Sequence, residues 1–195
     1  CIRDSSWNDF GPHLYQIFSL LVNPELVTAI SKKFKTELIP DVGLHGGGIH
    51  ISNSGGRLDP HLDYAIHPKL DSLRYINAIL FLTSQGDDFE GGSLGFWNRA
   101  SEEIDPPFGN PDHVIKPIAG KLILFNVSGY NWHGLCDDVK RGPRISLASY
   151  YVTSKVNAKY DTSRSAAVFS ATSEREINKE VLEAQSKRLK KAGLK

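Results

Sequence analysis

Apolar residues between positions 12 and 22 recur at helical spacing, with Leu14, Ile17, Phe18 and Leu21 on one face. Asn23-Pro24-Glu25 then combines an N-cap residue, a proline at the first helical position and an acid in the first turn. The helix predicted from it runs to about Glu37, burying Leu26, Val27, Ile30 and Phe34. Its last turns carry Lys32, Lys33 and Lys35, a solvated basic face that complements the helix dipole. From residue 49 the pattern shortens to that of strands, predicted over 49–52, 57–64, 74–83, 93–97, 114–116, 121–127 and 144–152. Glycine and proline turns punctuate them, with no helix between. That pattern indicates a sandwich or barrel. Thr172-Ser173 with Glu176 forms a capping box, predicting a C-terminal helix to about Lys191 with Ile177, Val181 and Leu182 inward.

A chain of 195 residues, 40% hydrophobic, is read as one domain. Residues 1–48 form helices and lead-in, 49–152 the β core, and 153–195 an extension carrying the last helix. The formal net charge of +1 leaves no electrostatic footprint for nucleic acid or an anionic membrane. The longest apolar run, 76–82, is too short to span a bilayer. Cys1 and Cys136 make no disulfide framework and no secretory signal is evident, so a reducing, cytoplasmic setting is expected. The chain lacks methionine and starts at Cys1, so further residues are expected upstream.

Two patterns offer chemistry. His45-Gly46-Gly47-Gly48 with Gly91-Gly92-Ser93-Leu94-Gly95 resembles the oxyanion loop and nucleophile elbow of a serine hydrolase using Ser93. The elbow requires a hydrophobic strand before the serine and a helix after it. Here a polar turn (85–90) precedes Ser93 and a strand pattern follows, so the context fails. The second pattern is His61-Leu62-Asp63, where i and i+2 project from one strand face and aim a nitrogen and an oxygen at one point. His133, beyond the 121–127 strand, completes a 2-His-1-carboxylate facial triad, a donor set suited to non-haem Fe(II) with open positions. Such a site takes a bidentate 2-oxo acid and dioxygen. Arg144 offers a planar fork for the oxo acid's far carboxylate, and Ser146, on the same strand face, a hydroxyl.

Taken in order, Gly55-Gly56…His61-Leu62-Asp63-Tyr64, the 74–82 strand, Gly91-Gly92…Trp97, Pro117-Ile118-Ala119-Gly120…Phe125, Trp132-His133-Gly134 and Arg144-Ile145-Ser146-Leu147 resemble the Fe(II)/2-oxoglutarate-dependent dioxygenases. The similarity is to their prolyl 4-hydroxylase-like branch, over about residues 49–152. It implies a mainly β double-stranded β-helix (jelly roll) with N-terminal helices packed on one sheet. It also implies hydroxylation of a C–H bond in a peptidyl or small-molecule substrate, coupled to decarboxylation of 2-oxoglutarate to succinate and CO2.

Relatives often carry tyrosines where this chain has His50-Ile51-Ser52 and Phe81, which leaves Asn77 as a further polar contributor to the cosubstrate pocket. Tyr64, Phe81, Trp97 and Trp132 are candidates to line the cavity or meet substrate. Asp63 argues against halogenation, since family halogenases replace that carboxylate with a small residue. The remaining alternatives are a catalytically silent jelly-roll binding protein and a cupin metal site. His67 is read as a loop or entrance residue, His45 and His50 as ordinary loop histidines, and Arg74 as structural, bridging a loop carboxylate.

Overall fold

The computed structural model describes residues 2–4, 6–86, 89–98, 110–154 and 164–169, the first three as backbone only. Helix α1 spans Pro12–Leu21 and α2 Pro24–Phe34. Asn23 caps α2 as its sequence requires, the Asn23 side chain accepting from Glu25 N–H at 2.8 Å. The helix stops short of Glu37. Lys35 turns into the left-handed region (φ 52°), and Thr36 N–H returns to the Ser31 carbonyl at 3.1 Å. The predicted C-terminal helix lies outside the described residues. Among these, no helix is long and apolar enough to cross a membrane.

The strands in chain order are β1 (Ile2–Asp4), β2 (Ile39–Pro40), β3 (Gly48–Ser52), β4 (His61–Leu62), β5 (Ser72–Phe81), β6 (Glu90–Gly91), β7 (Leu94–Asn98), β8 (His113–Ile115), β9 (Leu122–Asn126), β10 (Asn131–Leu135), β11 (Val139–Arg141), β12 (Arg144–Ser154) and β13 (Val168–Phe169). They build two principal antiparallel sheets, the major one ordered β1-β3-β12-β5-β9 with β2 against the end of β12, the minor one β13-β4-β10-β7-β8. A small ribbon pairs β11 with β6. This is the expected jelly roll.

Alternation along each strand sorts side chains between a cavity and an outer layer. On β12, Arg144, Ser146, Ala148 and Tyr150 face inward to the cavity, while Leu147 and Tyr151 face outward to the helices. On β5, Asn77 and Ile79 face in, and Ile76 and Ala78 pack with Ile30 of α2. Phe18 of α1 is wholly buried against Leu44 and Leu147 and stacks on Phe10, ring centroids 4.8 Å apart. The helices therefore cover the back of the major sheet and leave its front to the site.

The strand expected over 57–64 is much shorter, because only His61–Leu62 enters the ladder. Pro60 has no N–H to give, and the Leu58 carbonyl is the contact that ties this segment to Leu135 N–H, at 2.8 Å.

Candidate metal centre and cosubstrate pocket

β4 and β10 pair so that His61 stands directly opposite His133. Each ring is fixed the same way. His61 Nδ1 donates to the Asp59 carbonyl at 2.9 Å, and His133 Nδ1 to the Asn131 carbonyl at 3.1 Å. A carbonyl only accepts, so both Nδ1 atoms carry a proton, the tautomer that in a neutral imidazole leaves the Nε2 lone pair for a ligand. Both Nε2 atoms point at the Asp63 carboxylate: His61 Nε2 lies 3.8 Å from Oδ1 and His133 Nε2 3.6 Å from Oδ2. All three residues are buried. Burial, followed by the neighbouring His133, pushes His61 down to about 3, so its imidazole is neutral at physiological pH.

Asp63 is held from behind. Tyr150 donates to Oδ1 at 3.0 Å and Asn77 Nδ2 to Oδ2 at 2.8 Å, while Asn77 also donates to the Tyr150 hydroxyl at 3.2 Å. Burial alone would raise the carboxyl pKa of Asp63. The adjacent His133 and His61, Arg74 and the Asn77 amide outweigh it and hold the group below its ordinary value. Tyr150 moves the other way, its phenol raised by burial and by Asp63, so it stays protonated as a donor.

Across the same cavity lies Arg144, 5% exposed. Its Nε donates to the Gly92 carbonyl at 2.8 Å and its Nη1 to Ser146 Oγ at 3.2 Å, and the guanidinium lies over the Phe81 ring at 5.1 Å. Gly92 is required there. Its φ is +65°, and a Cβ would meet Arg144 Cδ at 2.8 Å. Burial lowers Arg144 to about 10, which leaves it charged. Among the described residues no carboxylate pairs with it within 4 Å.

Residues 47–152 match the family model of the 2OG-Fe(II) oxygenase superfamily. The chain belongs to this superfamily. The reagents of that superfamily are Fe(II), 2-oxoglutarate and dioxygen. Among solved structures, an oxidoreductase of the 2OG-Fe(II) oxygenase family from Burkholderia pseudomallei is 20% identical with a TM-score of 0.53, over 76% of this chain and 61% of that one. A Pseudomonas putida prolyl-4-hydroxylase is 20% identical, TM-score 0.52, over 74% and 69%. A viral collagen prolyl hydroxylase from Paramecium Bursaria Chlorella virus-1, in a 2OG complex, is 17% identical, TM-score 0.51, over 77% and 80%. At these identities the likeness is one of fold. The oxygenase chain thus spans less than two thirds of the Burkholderia protein's length. No curated protein matches it.

The donor set suits the superfamily's metal. Two imidazole nitrogens and a carboxylate oxygen lie within 4.8 Å of one another, the combination an open non-haem Fe(II) site uses. The structure brings Ser146, Arg144 and Asn77 to the same cavity, with Asn77's amide engaged by Asp63 and Tyr150. Phe81 lies beneath Arg144. Trp97 and Trp132 are placed elsewhere. They face out of the minor sheet and pack with Leu62, Val168 and Cys136, since alternation puts them opposite to Phe96 and His133. Tyr64 is likewise not a lining residue; it stacks on Arg74. Cys136, three residues beyond His133, lies outside the donor cluster and donates its thiol to the Ser93 carbonyl at 3.4 Å. The Ser93 hydroxyl meets Gln85 at 3.1 Å, and among the described residues no histidine bonds it, so the hydrolase reading lacks its base there.

His50 is a residue that sequence reasoning misplaced. It stands on β3 opposite Ser146 and lines the cavity. Tyr150 was legible only as a strand aromatic, though it sits six residues beyond Arg144 on the same inner face.

His67 and His45 lie in loops as expected, and there they converge on Asp41. His45 Nδ1 donates to Asp41 Oδ1 at 3.1 Å, and His67 Nε2 lies 3.4 Å from Oδ2. This second cluster does not suit a metal. His67 Nδ1 accepts from Lys69 N–H and Leu70 N–H, so the proton sits on Nε2, the atom that a metal would need bare. Asp41 instead ties the loop together, accepting also from Gly43 N–H and His45 N–H, each at 3.0 Å. Asp41→Ala is expected to destabilise the oxygenase by about 2–4 kcal/mol, the scale of a buried charged acceptor removed from its donors. Urea unfolding measures it; a loss under about 0.5 kcal/mol would show that the cluster contributes little.

Proposed function

We propose that this chain is an Fe(II)/2-oxoglutarate-dependent dioxygenase that hydroxylates a C–H bond of a prolyl-containing peptide or a small molecule, releasing succinate and CO2. The observation that carries the reading is Arg144: a buried guanidinium without a carboxylate partner among the described residues, in the cavity where His61, Asp63 and His133 converge. A buried cation of this kind calls for an anion supplied from outside. A dicarboxylate reaching from the triad to Arg144 meets both demands. The complete donor set argues against a silent binding protein.

In this reading His61, His133 and Asp63 hold Fe(II), which supplies dioxygen activation coupled to decarboxylation of the oxo acid. The chain's own groups do the rest. The two Nδ1–H bonds keep the imidazoles in the ligating tautomer. Tyr150 and Asn77 fix the carboxylate so that it neither rotates nor takes up a proton. Arg144 orients the far carboxylate of 2-oxoglutarate, with Ser146 beside it. Ile79, Leu94 and Leu135 give the cavity an apolar wall beside these polar groups. The prolyl assignment draws on two of the similar folds, the Pseudomonas putida and the viral protein, being prolyl hydroxylases.

Mixing the protein anaerobically with Fe(II) and 2-oxoglutarate is expected to give a visible metal-to-ligand charge-transfer band. Absence of the band overturns the proposal. A succinate-release screen over prolyl peptides and small metabolites then separates the two substrate classes.

A further inference from the structure

Arg74 is a buried cation that the reaction above does not use. Its place comes from an irregularity in the major sheet. Tyr151 pairs with Ile76 but Val152 pairs with Arg74, so Tyr75 is an extra residue in β5. One inserted residue reverses the alternation. Arg74 therefore lies on the inner face with Asn77, three positions away, where a regular strand would turn it toward the helices.

There the guanidinium is clasped between two rings. Its central carbon is 3.7 Å from the Tyr64 ring centroid and 3.9 Å from that of Tyr150. Nη2 donates to the Tyr64 hydroxyl at 2.5 Å. Nε and Nη1 are buried without a hydrogen-bond partner, and no carboxylate among the described residues pairs with Arg74. Only 1% of the residue is exposed. The loop also fits around it, since a Cβ on Gly46 would lie 2.6 Å from Nη2. A buried cation with no carboxylate beside it among the described residues is held by ring faces, and one of the two rings is that of Tyr150. The hydroxyl of that ring is what donates to Asp63 Oδ1.

We propose that Arg74 is a positioning residue for the metal centre: by clamping the Tyr150 ring it fixes the hydroxyl that orients Asp63. The inference rests on His61, Asp63 and His133 being the metal ligands. Arg74 touches none of the reacting atoms and acts through Tyr150.

The test titrates the protein with Co(II) and follows its visible absorption, beside thermal unfolding of the same samples. Arg74→Met is expected to weaken Co(II) binding by about tenfold, the lower end for a residue supporting a ligand, and Tyr150→Phe by a similar factor. Because both act on one hydrogen bond, Arg74→Met with Tyr150→Phe should be no weaker than the worse single variant. Arg74→Lys keeps the charge but not the planar face, so it should show the same loss and serves if the methionine variant does not fold. Multiplying losses in the double variant overturn the proposal, as does wild-type affinity in folded Arg74→Lys or in Tyr150→Phe. Those results mark Arg74 as a core filler, whose loss moves the melting temperature alone. A wild-type protein that binds no Co(II) overturns the ligand assignment as well.

Discussion

Replacing His133 with alanine is expected to abolish 2-oxoglutarate-dependent succinate formation and the charge-transfer band together. His133 faces His61 across one register position, and its Nε2 is one of three donor atoms at the site. The other imidazole in the cavity, His50, stands across on β3 beside Ser146 and outside that donor cluster. Fe(II) affinity should fall by at least about 100-fold, since loss of a residue that merely supports a ligand already costs about 10–100-fold. Circular dichroism on the same sample checks that the variant is folded. A band that persists unchanged would place the ligand elsewhere.

The second large effect is expected at Arg144. Arg144→Ala should raise the apparent KM for 2-oxoglutarate by about 100- to 4,000-fold while leaving Fe(II) affinity within about threefold. The estimate follows from removing one partner of a buried charge pair, about 3–5 kcal/mol, at 1.4 kcal/mol per decade. Arg144→Lys should recover part of the loss, because it restores charge without the fork that bonds Gly92 and Ser146 at once. Steady-state kinetics with varied cosubstrate measure both. An unchanged KM would move the role to another cation such as Arg141, whose Nη2 donates to the Gly86 carbonyl at the surface.

The residues that carry chemistry were legible because their types are rare in strands and their order is informative. His61, Asp63, His133 and Arg144 fall on β4, just after it, on β10 and on β12, and the structure gathers them without exception. What surrounds them was less legible. Trp97 and Trp132 looked like cavity walls, although period two counted from His133 already turns Trp132 outward; the signal was present and outweighed by their size. Tyr150 reads in sequence as one more apolar strand residue, because a phenol that packs and a phenol that donates look alike until an acceptor is in place. Arg74 was beyond the pattern altogether. Its inward direction depends on an inserted residue at Tyr75, and a bulge leaves no mark in hydrophobic periodicity. His67 lies in a loop as expected, but it is buried, 3% exposed, with Nε2 3.4 Å from Asp41, because the partner that draws it inward stands 26 residues earlier in the chain.

The charges that line the cavity have a further consequence for how the reagents arrive. Besides its histidines, the lining carries one acid, Asp63, and one cation, Arg144, whose formal charges cancel. On the proposed assignment a divalent metal alone leaves a buried excess of two positive charges. A dicarboxylate alone leaves an equal negative excess. Both together restore neutrality among buried side chains, where charges are screened less than in bulk water. Metal and cosubstrate must then strengthen each other's binding by the same factor, since coupling between two ligands is reciprocal. The cavity is electrically balanced when empty and when full, and unbalanced at either halfway point.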